Sequence, residues 1–231
     1  MKQKVIIPER LSDLTLSQYQ KFLKVVDGNE DDLFIRKKMV QIFCDLPLID
    51  VEYIKKNDFD EITAQIIKVL GETPDLQERF EHNGIQYGMI PNLNDDISLG
   101  EFIGLDQLTG NWDAIEQYMS ILYRPITVEK AKKYRIEPYN LEIFDFKDLP
   151  LDIVISTQVF FWRLGTALLN HIQKSGQNQL KNPIVQKLLE EHSHLDGVGT
   201  QQLATSLEET CSVLRKSLTK TFIQPYIISL T

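Results

Sequence analysis

Cysteine is nearly missing from this sequence. Cys44 and Cys211 are the two it has, both in apolar stretches with helical spacing. That excludes a small disulfide-stapled scaffold and points to buried, reduced thiols in a reducing compartment. Glycine and proline are sparse, 11 and 9 in 231 residues, too few for a fibrous or disordered chain. No apolar run is long enough for a membrane span, which takes about 20 residues. The most apolar stretch, Leu149 to Leu169, is broken by Pro150, Asp152, Gln158 and Arg163. Near the start, Val5-Ile6-Ile7 before Pro8 is too short for a signal peptide. These absences predict a soluble, cytoplasmic protein with no membrane partner. Basic residues do not balance the acidic ones in the first half: residues 1–115 carry 12 Lys and Arg against 21 Asp and Glu, whereas residues 116–231 carry 13 against 12. Phosphate binding needs clustered Lys and Arg, so no nucleic-acid partner is expected. An acidic surface instead favours solubility.

Signatures of catalysis are missing as well. Glu190-Glu191-His192-Ser193-His194 concentrates imidazoles and carboxylates, but its histidines are two residues apart, not the four that place a metal-binding pair on one helix face. A solvated helix end explains it better. His82, beside Asn83-Gly84, is expected to be exposed. Gly197-Val198-Gly199-Thr200 lacks the third glycine and the preceding strand of a dinucleotide loop, and reads as a helix–helix turn with Thr200 as N-cap. No Gly-x-Ser-x-Gly elbow and no Gly-Lys-Ser/Thr phosphate loop occurs. The pairs Asp31-Asp32 and Asp95-Asp96 precede predicted helices, where carboxylates favour the dipole. Lys130, Lys132, Lys133 and Arg135, with Tyr134, form a basic cluster that could touch RNA or an acidic partner, but four charges on a hairpin read first as solvated. The sequence thus offers no catalytic, cofactor-binding or metal-ligating residues, and a non-enzymatic protein is expected.

What the chain does have is a duplication. Ile7-Pro8 is followed by Thr15-Leu16-Ser17-Gln18-Tyr19, and Ile90-Pro91, 83 residues later, by Ser98-Leu99-Gly100-Glu101-Phe102 at the same spacing. Each is a capping box, a Thr or Ser N-cap with Gln or Glu at N3, and each carries a hydrophobic staple, Leu14 with Tyr19 and Ile97 with Phe102. Asp45-Leu46-Pro47-Leu48 and Asp148-Leu149-Pro150-Leu151 repeat in the same order. The interval from cap to proline is 32 residues in the first copy and 52 in the second, so about twenty are inserted, within 125–146.

Between these marks the periodicity predicts helices from Leu16, over 33–43, 49–56, 59–70, from Leu99 and near 113–123. Asn83-Gly84 between apolar runs predicts a hairpin with a type I′ turn. Lys4 to Ile7 is a candidate third strand, and Ile126-Thr127-Val128 with Tyr134-Arg135-Ile136 a second hairpin. Leu151 to about Lys174 reads as a helix at the centre of the core, with Phe160 and Phe161 enclosed. The fold expected is mainly α with small β-hairpins, an α+β arrangement. It comprises a first helical unit (1–75), a hairpin and second helical unit with its inserted hairpin (76–174), and C-terminal helices with an apolar tail (175–231).

The C-terminal part holds the candidate interaction residues. Leu203, Leu207, Leu214 and Leu218, with Cys211 between them, make a narrow apolar seam, and Phe222, Tyr226, Ile227 and Ile228 follow in a tail too apolar to leave in water without a partner. Partner contact and packing back onto the chain's own core are both open.

Ile90-Pro91-Asn92-Leu93, the Ser98–Phe102 box, Trp112, Met119, Leu122-Tyr123-Arg124-Pro125-Ile126, Leu149-Pro150-Leu151-Asp152 and Phe160-Phe161 share their order with a known family, as does the opening Ile7-Pro8 with its capping box. Over roughly residues 5–170 the chain resembles an uncharacterised family of tailed-bacteriophage virion-morphogenesis proteins. It departs at Gly104, where a more polar residue is expected. The resemblance implies a tail-assembly-chaperone-like role: binding the tape-measure protein in the host cell cytoplasm, keeping it soluble, and leaving before the virion is finished. The alternative is a permanent virion component, such as a head–tail ring or adaptor or an internal cargo protein. Implied partners are phage morphogenesis or virion proteins, with a homo-oligomer also open. Arg124 stands out, either paired with Asp95 or Asp96 or exposed.

Overall fold

The computed structural model describes residues 5–91, 97–130, 133–163 and 174. These fall in two compact units, one up to Thr157 and one from Gln158 onward. The first is a mixture of helices and a four-stranded antiparallel sheet, an α+β architecture.

A 3-10 turn, Leu11–Asp13, leads into α1, Leu16–Val26. The first turn of any helix leaves backbone N–H groups without intrahelical partners, and here three of them are satisfied. Leu16 N–H donates to the Leu149 carbonyl at 3.0 Å and Ser17 N–H to the Lys147 carbonyl at 2.8 Å. Gln18 N–H donates to Thr15 Oγ1 at 3.2 Å, and Gln18 Oε1 accepts from Thr15 N–H in return. Leu14 and Tyr19, the expected staple, are both fully buried. The segment around Pro150 is thereby tied to the start of α1, and Leu151 N–H completes the bridge to the Leu14 carbonyl at 2.8 Å.

Helix α2, Asp32–Phe43, is capped by the Asp31 carboxylate. It ends where Asp45 takes a left-handed φ of 50° and Leu46 N–H reaches back to the Gln41 carbonyl, a helix stop more often built on glycine. Pro47 then starts α3, Leu48–Glu52, and α4 covers Lys56–Leu70. The apolar stripes of α1, α2 and α4 close on one another through Phe22, Met39, Val40 and Ile66, with the Phe22 and Phe43 rings 5.1 Å apart. Cys44 is buried here, which pushes its thiol pKa up to about 11. Cys211 lies outside the described residues.

The hairpin predicted at Asn83-Gly84 is present: β1 is Arg79–His82, β2 is Ile85–Met89, and the turn residues have φ of 51° and 75°. The third strand does not come from the N-terminus. Residues 5–7 lie in no strand, and the place beside β2 is taken by β3, Tyr123–Lys130, which starts directly after a helix. With β4, Lys133–Ile136, the sheet order is β1-β2-β3-β4. Pro125 tolerates this central position because β3 changes partners there. Tyr123 to Pro125 pair with β2, Ile126 onward pairs with β4, and the register shifts between Ile126 and Val128. A missing N–H at the handover costs little pairing. Gly88 of β2 lies under the Tyr134 ring of β4, whose hydroxyl donates to the Met89 carbonyl at 2.7 Å. Behind the sheet, Phe80, Tyr87, Tyr123 and Phe146 form an aromatic cluster with centroids 5.1–5.9 Å apart.

His82, expected in solvent, is buried beside Phe146, with Nε2 at 3.0 Å from the Asp145 carbonyl. A carbonyl 63 residues away in sequence satisfies the ring.

Between the hairpins lie α5, Leu99–Leu108, a 3-10 turn at Trp112–Ala114, and α6, Ile115–Leu122. The turn docks on α1: Trp112 meets Tyr19 edge-on at 5.1 Å, and Gln20 donates to the Trp112 carbonyl. Helix α7 is described over residues 151–163. Leu151 and Ile153 to Thr157 are buried, and the Thr157 hydroxyl bonds the Tyr123 hydroxyl at 2.9 Å. In the second unit Gln158 and Val159 are buried, but Phe160 and Phe161 are only half-buried, with their rings edge-to-face at 5.2 Å. Phe146 is fully enclosed instead, as are Tyr19, Phe22 and Tyr123, and its ring packs against Phe80 and Tyr87 of the sheet.

Candidate interaction surface

The seam and tail residues Leu203, Leu207, Leu214, Leu218, Phe222, Tyr226, Ile227 and Ile228 lie outside the described residues. Among the described residues, the helix that draws attention is α5. Its sequence, Leu-Gly-Glu-Phe-Ile-Gly-Leu-Asp-Gln-Leu, is apolar nearly all round. A helix of that composition is ordinarily buried, yet Leu99 is 75% exposed, Phe102 58% and Ile103 45%. Their i, i+3, i+4 spacing puts them on one face. Phe102, expected to close a staple on Ile97, faces solvent instead.

The opposite side explains how the helix is held. A Cβ at Gly104 would lie 2.8 Å from Ile121 Cδ1, and one at Gly100 would lie 3.3 Å from Tyr139 Cε1. Two glycines one turn apart therefore let α6 and the 137–143 segment approach closely. This accounts for Gly104 where a polar residue was expected. The third anchor is Glu101. Its carboxylate accepts from Ser98 N–H at 2.6 Å, completing the second capping box, and also pairs with the Arg124 guanidinium of β3. Both side chains are buried. Burial alone would raise the Glu101 pKa, but hydrogen bonds from Ser98 and Arg124 outweigh it and hold the carboxyl below its ordinary value. Arg124 thus pairs with the N3 carboxylate of the cap; Asp95 and Asp96 are outside the described residues. Sequence spacing gives Glu101 its cap role and conceals the second one.

Two more exposed apolar side chains belong to this region. Tyr139 packs on α5, whereas Phe144 N–H donates to Ser120 Oγ of α6 at 2.9 Å, so the chain between them crosses from one helix to the other. On that crossing Leu141 is 75% exposed and Ile143 56%. Leu141 has a φ of 62°, a left-handed backbone that a bulky side chain rarely adopts. Asn140 holds it there by accepting from Glu142 N–H and donating to the Glu142 carboxylate.

Electrostatically the region has one sign. From Ile97 to Leu122 there are four carboxylates and no Lys, Arg or His; from Ile136 to Phe146 there are three and again none. Glu101 is neutralised by Arg124, and Asp113 pairs with Lys24 of α1 at 3.1 Å. Asp106, Glu116, Glu137, Glu142 and Asp145 have no ion pair among the described residues. The Tyr87 hydroxyl registers this field: its pKa is raised by burial first, then by the Glu142 and Glu137 carboxylates.

No protein-family model, no curated protein and no solved structure matches the chain. Among the described residues no helix is long and apolar enough to cross a membrane, and no group of His, Cys, Asp and Glu is placed to hold a metal ion.

Proposed function

We propose that this chain is a non-enzymatic bacteriophage assembly protein that acts like a tail-assembly chaperone, binding an apolar helical partner such as the tape-measure protein in the host cell cytoplasm. The observation that carries this reading is the exposed apolar face of Leu99, Phe102 and Ile103. Five exposed apolar side chains on neighbouring elements suit transient capture of an amphipathic helix, which lays its own apolar face against such a surface. The resemblance over residues 5–170 supplies the biological setting. In this reading the two capping-box segments are related helical units. Both copies run helix, second helix, then a Leu-Pro-Leu start of a further helix, and the sheet's second hairpin is the insertion in the later copy. The C-terminal helical extension, with Leu203 to Leu218 and the Phe222–Ile228 tail, adds a second apolar contact.

The test is mass spectrometry of purified virions, combined with co-expression of the chain and the tape-measure protein. A chaperone is absent from virions and co-purifies with its partner. Presence in every particle at fixed copy number would show instead the permanent virion component.

A further inference from the structure

We infer that the exposed face of α5, Leu99, Phe102 and Ile103, together with Leu141 and Ile143 on the neighbouring segment, takes a basic amphipathic helix whose apolar side meets these side chains and whose flanking Lys or Arg meet carboxylates such as Asp106 and Glu142. This rests on the assembly-chaperone reading only for the source of the occupant; the surface itself stands on geometry and charge.

Three observations converge. The face is apolar and open although the rest of α5 is anchored by Gly100, Gly104 and a buried ion pair, so the helix is fixed while no described residue covers its outer side. Residues 97–122 and 136–146 contribute seven carboxylates and no basic side chain, and five of these make no ion pair among the described residues. An acidic rim repels an acidic partner and rewards a basic one, which sets specificity as well as association rate. Finally, Leu141 is held outward in a backbone conformation that costs free energy, by an asparagine that bonds across it. An exposed leucine under such strain contributes nothing to the folded core, and presentation to a partner gives it a role.

The experiment uses the full-length chain and two fluorescein-labelled synthetic 20-residue helices with one shared Leu/Phe face, one flanked by lysines and one by glutamates. Fluorescence anisotropy should show the lysine helix binding at least tenfold more tightly, with affinity falling as salt is raised. Phe102→Ser and Leu141→Gly should each weaken it at least tenfold while the circular dichroism spectrum and thermal midpoint are retained. Both variants leave every charge in place, so they separate this face from general attraction to an acidic protein. Asp106→Lys with Glu142→Lys should reverse the preference between the two helices. Equal binding of both helices, or unchanged binding by the two apolar variants, overturns the inference. So does self-association that Phe102→Ser abolishes, which assigns the face to a second copy. Binding that emerges only once residues 222–231 are deleted also counts against it, and assigns the face to the chain's own tail. If the lysine helix binds as expected but the tape-measure protein is not captured, the surface stands and the chaperone reading falls. If wild type and both apolar variants capture the tape-measure protein alike, the reverse holds.

Discussion

Glu101 and Arg124 form a buried ion pair that joins the first turn of α5 to the start of β3. Gln18 holds the corresponding place in α1, where its amide accepts from the Thr15 N–H and donates to the Ile42 carbonyl at 3.1 Å. In both capping boxes the N3 side chain thus does two jobs, capping its own helix and tying it to another element. The first does so with a neutral amide, the second with a charge. Removing one charge should therefore be far more damaging than removing both. Arg124→Ala is expected to cost about 3–5 kcal/mol, because it strands a buried carboxylate. Glu101→Gln with Arg124→Met keeps the cap and should return stability to within about 1 kcal/mol of wild type. Urea unfolding of the three proteins checks this, and a double variant as unstable as the single one would refute it.

The same pair predicts acid sensitivity. The Glu101 carboxyl is lowered in the folded state, so its contribution is complete above the ordinary glutamate value of 4.5 and is lost as pH falls through the lower folded value. The stability gap between wild type and Glu101→Gln should narrow steadily below pH 4.5. Urea midpoints measured between neutral and strongly acidic pH reveal it; a gap that stays constant would locate the pair in solvent.

Phe146 should outrank Phe160 in the core. Phe146→Ala removes a fully enclosed ring and is expected to cost about 3–5 kcal/mol. Phe160→Ala and Phe161→Ala remove half-buried rings and should each cost less than about 2 kcal/mol. Thermal or denaturant unfolding of the three variants gives the ranking, and the reverse order would move the core to α7.

Gly88 offers a test of the sheet. An added Cβ would sit 2.4 Å from Tyr134 Cε2, so the ring must swing away and give up its bond to Met89 and its contact with Arg79, whose guanidinium lies 4.3 Å from the ring centroid. Gly88→Ala should cost about 1–3 kcal/mol, as overpacking does. In a Tyr134→Ala background most of that cost should vanish, and its persistence there would point to backbone strain instead.

What the sequence discloses here is what is local. Thr15 with Gln18, Ser98 with Glu101 and the Asn83-Gly84 turn act over two to four residues, and helix starts and the first hairpin follow from them. The second hairpin follows from its alternation. Burial of His82 does not, because it depends on a carbonyl at Asp145. Nor does the start of β3, since nothing between Leu122 and Tyr123 breaks a helix and a proline two residues on argues against a strand. The α5 face is hidden for a related reason. Apolar spacing states that Phe102 and Ile103 share a side, while exposure depends on which other segments arrive. The lack of any basic residue from 97 to 122 was visible, and only its clustering around an open face gives it meaning.

The bond between Leu16 and Leu149 also sets a schedule. Two N–H groups at the head of α1 have as partners carbonyls 130 residues or more downstream, so that helix emerges from the ribosome long before its first turn can be completed. At typical synthesis rates the wait is on the order of ten seconds. Until Lys147 and Leu149 appear, the N–H groups of Ser17 and Leu16 lack these partners, beside the fully buried Leu14 and Leu16. A nascent or prematurely terminated chain therefore exposes apolar surface at the head of α1, and quality control would meet it there.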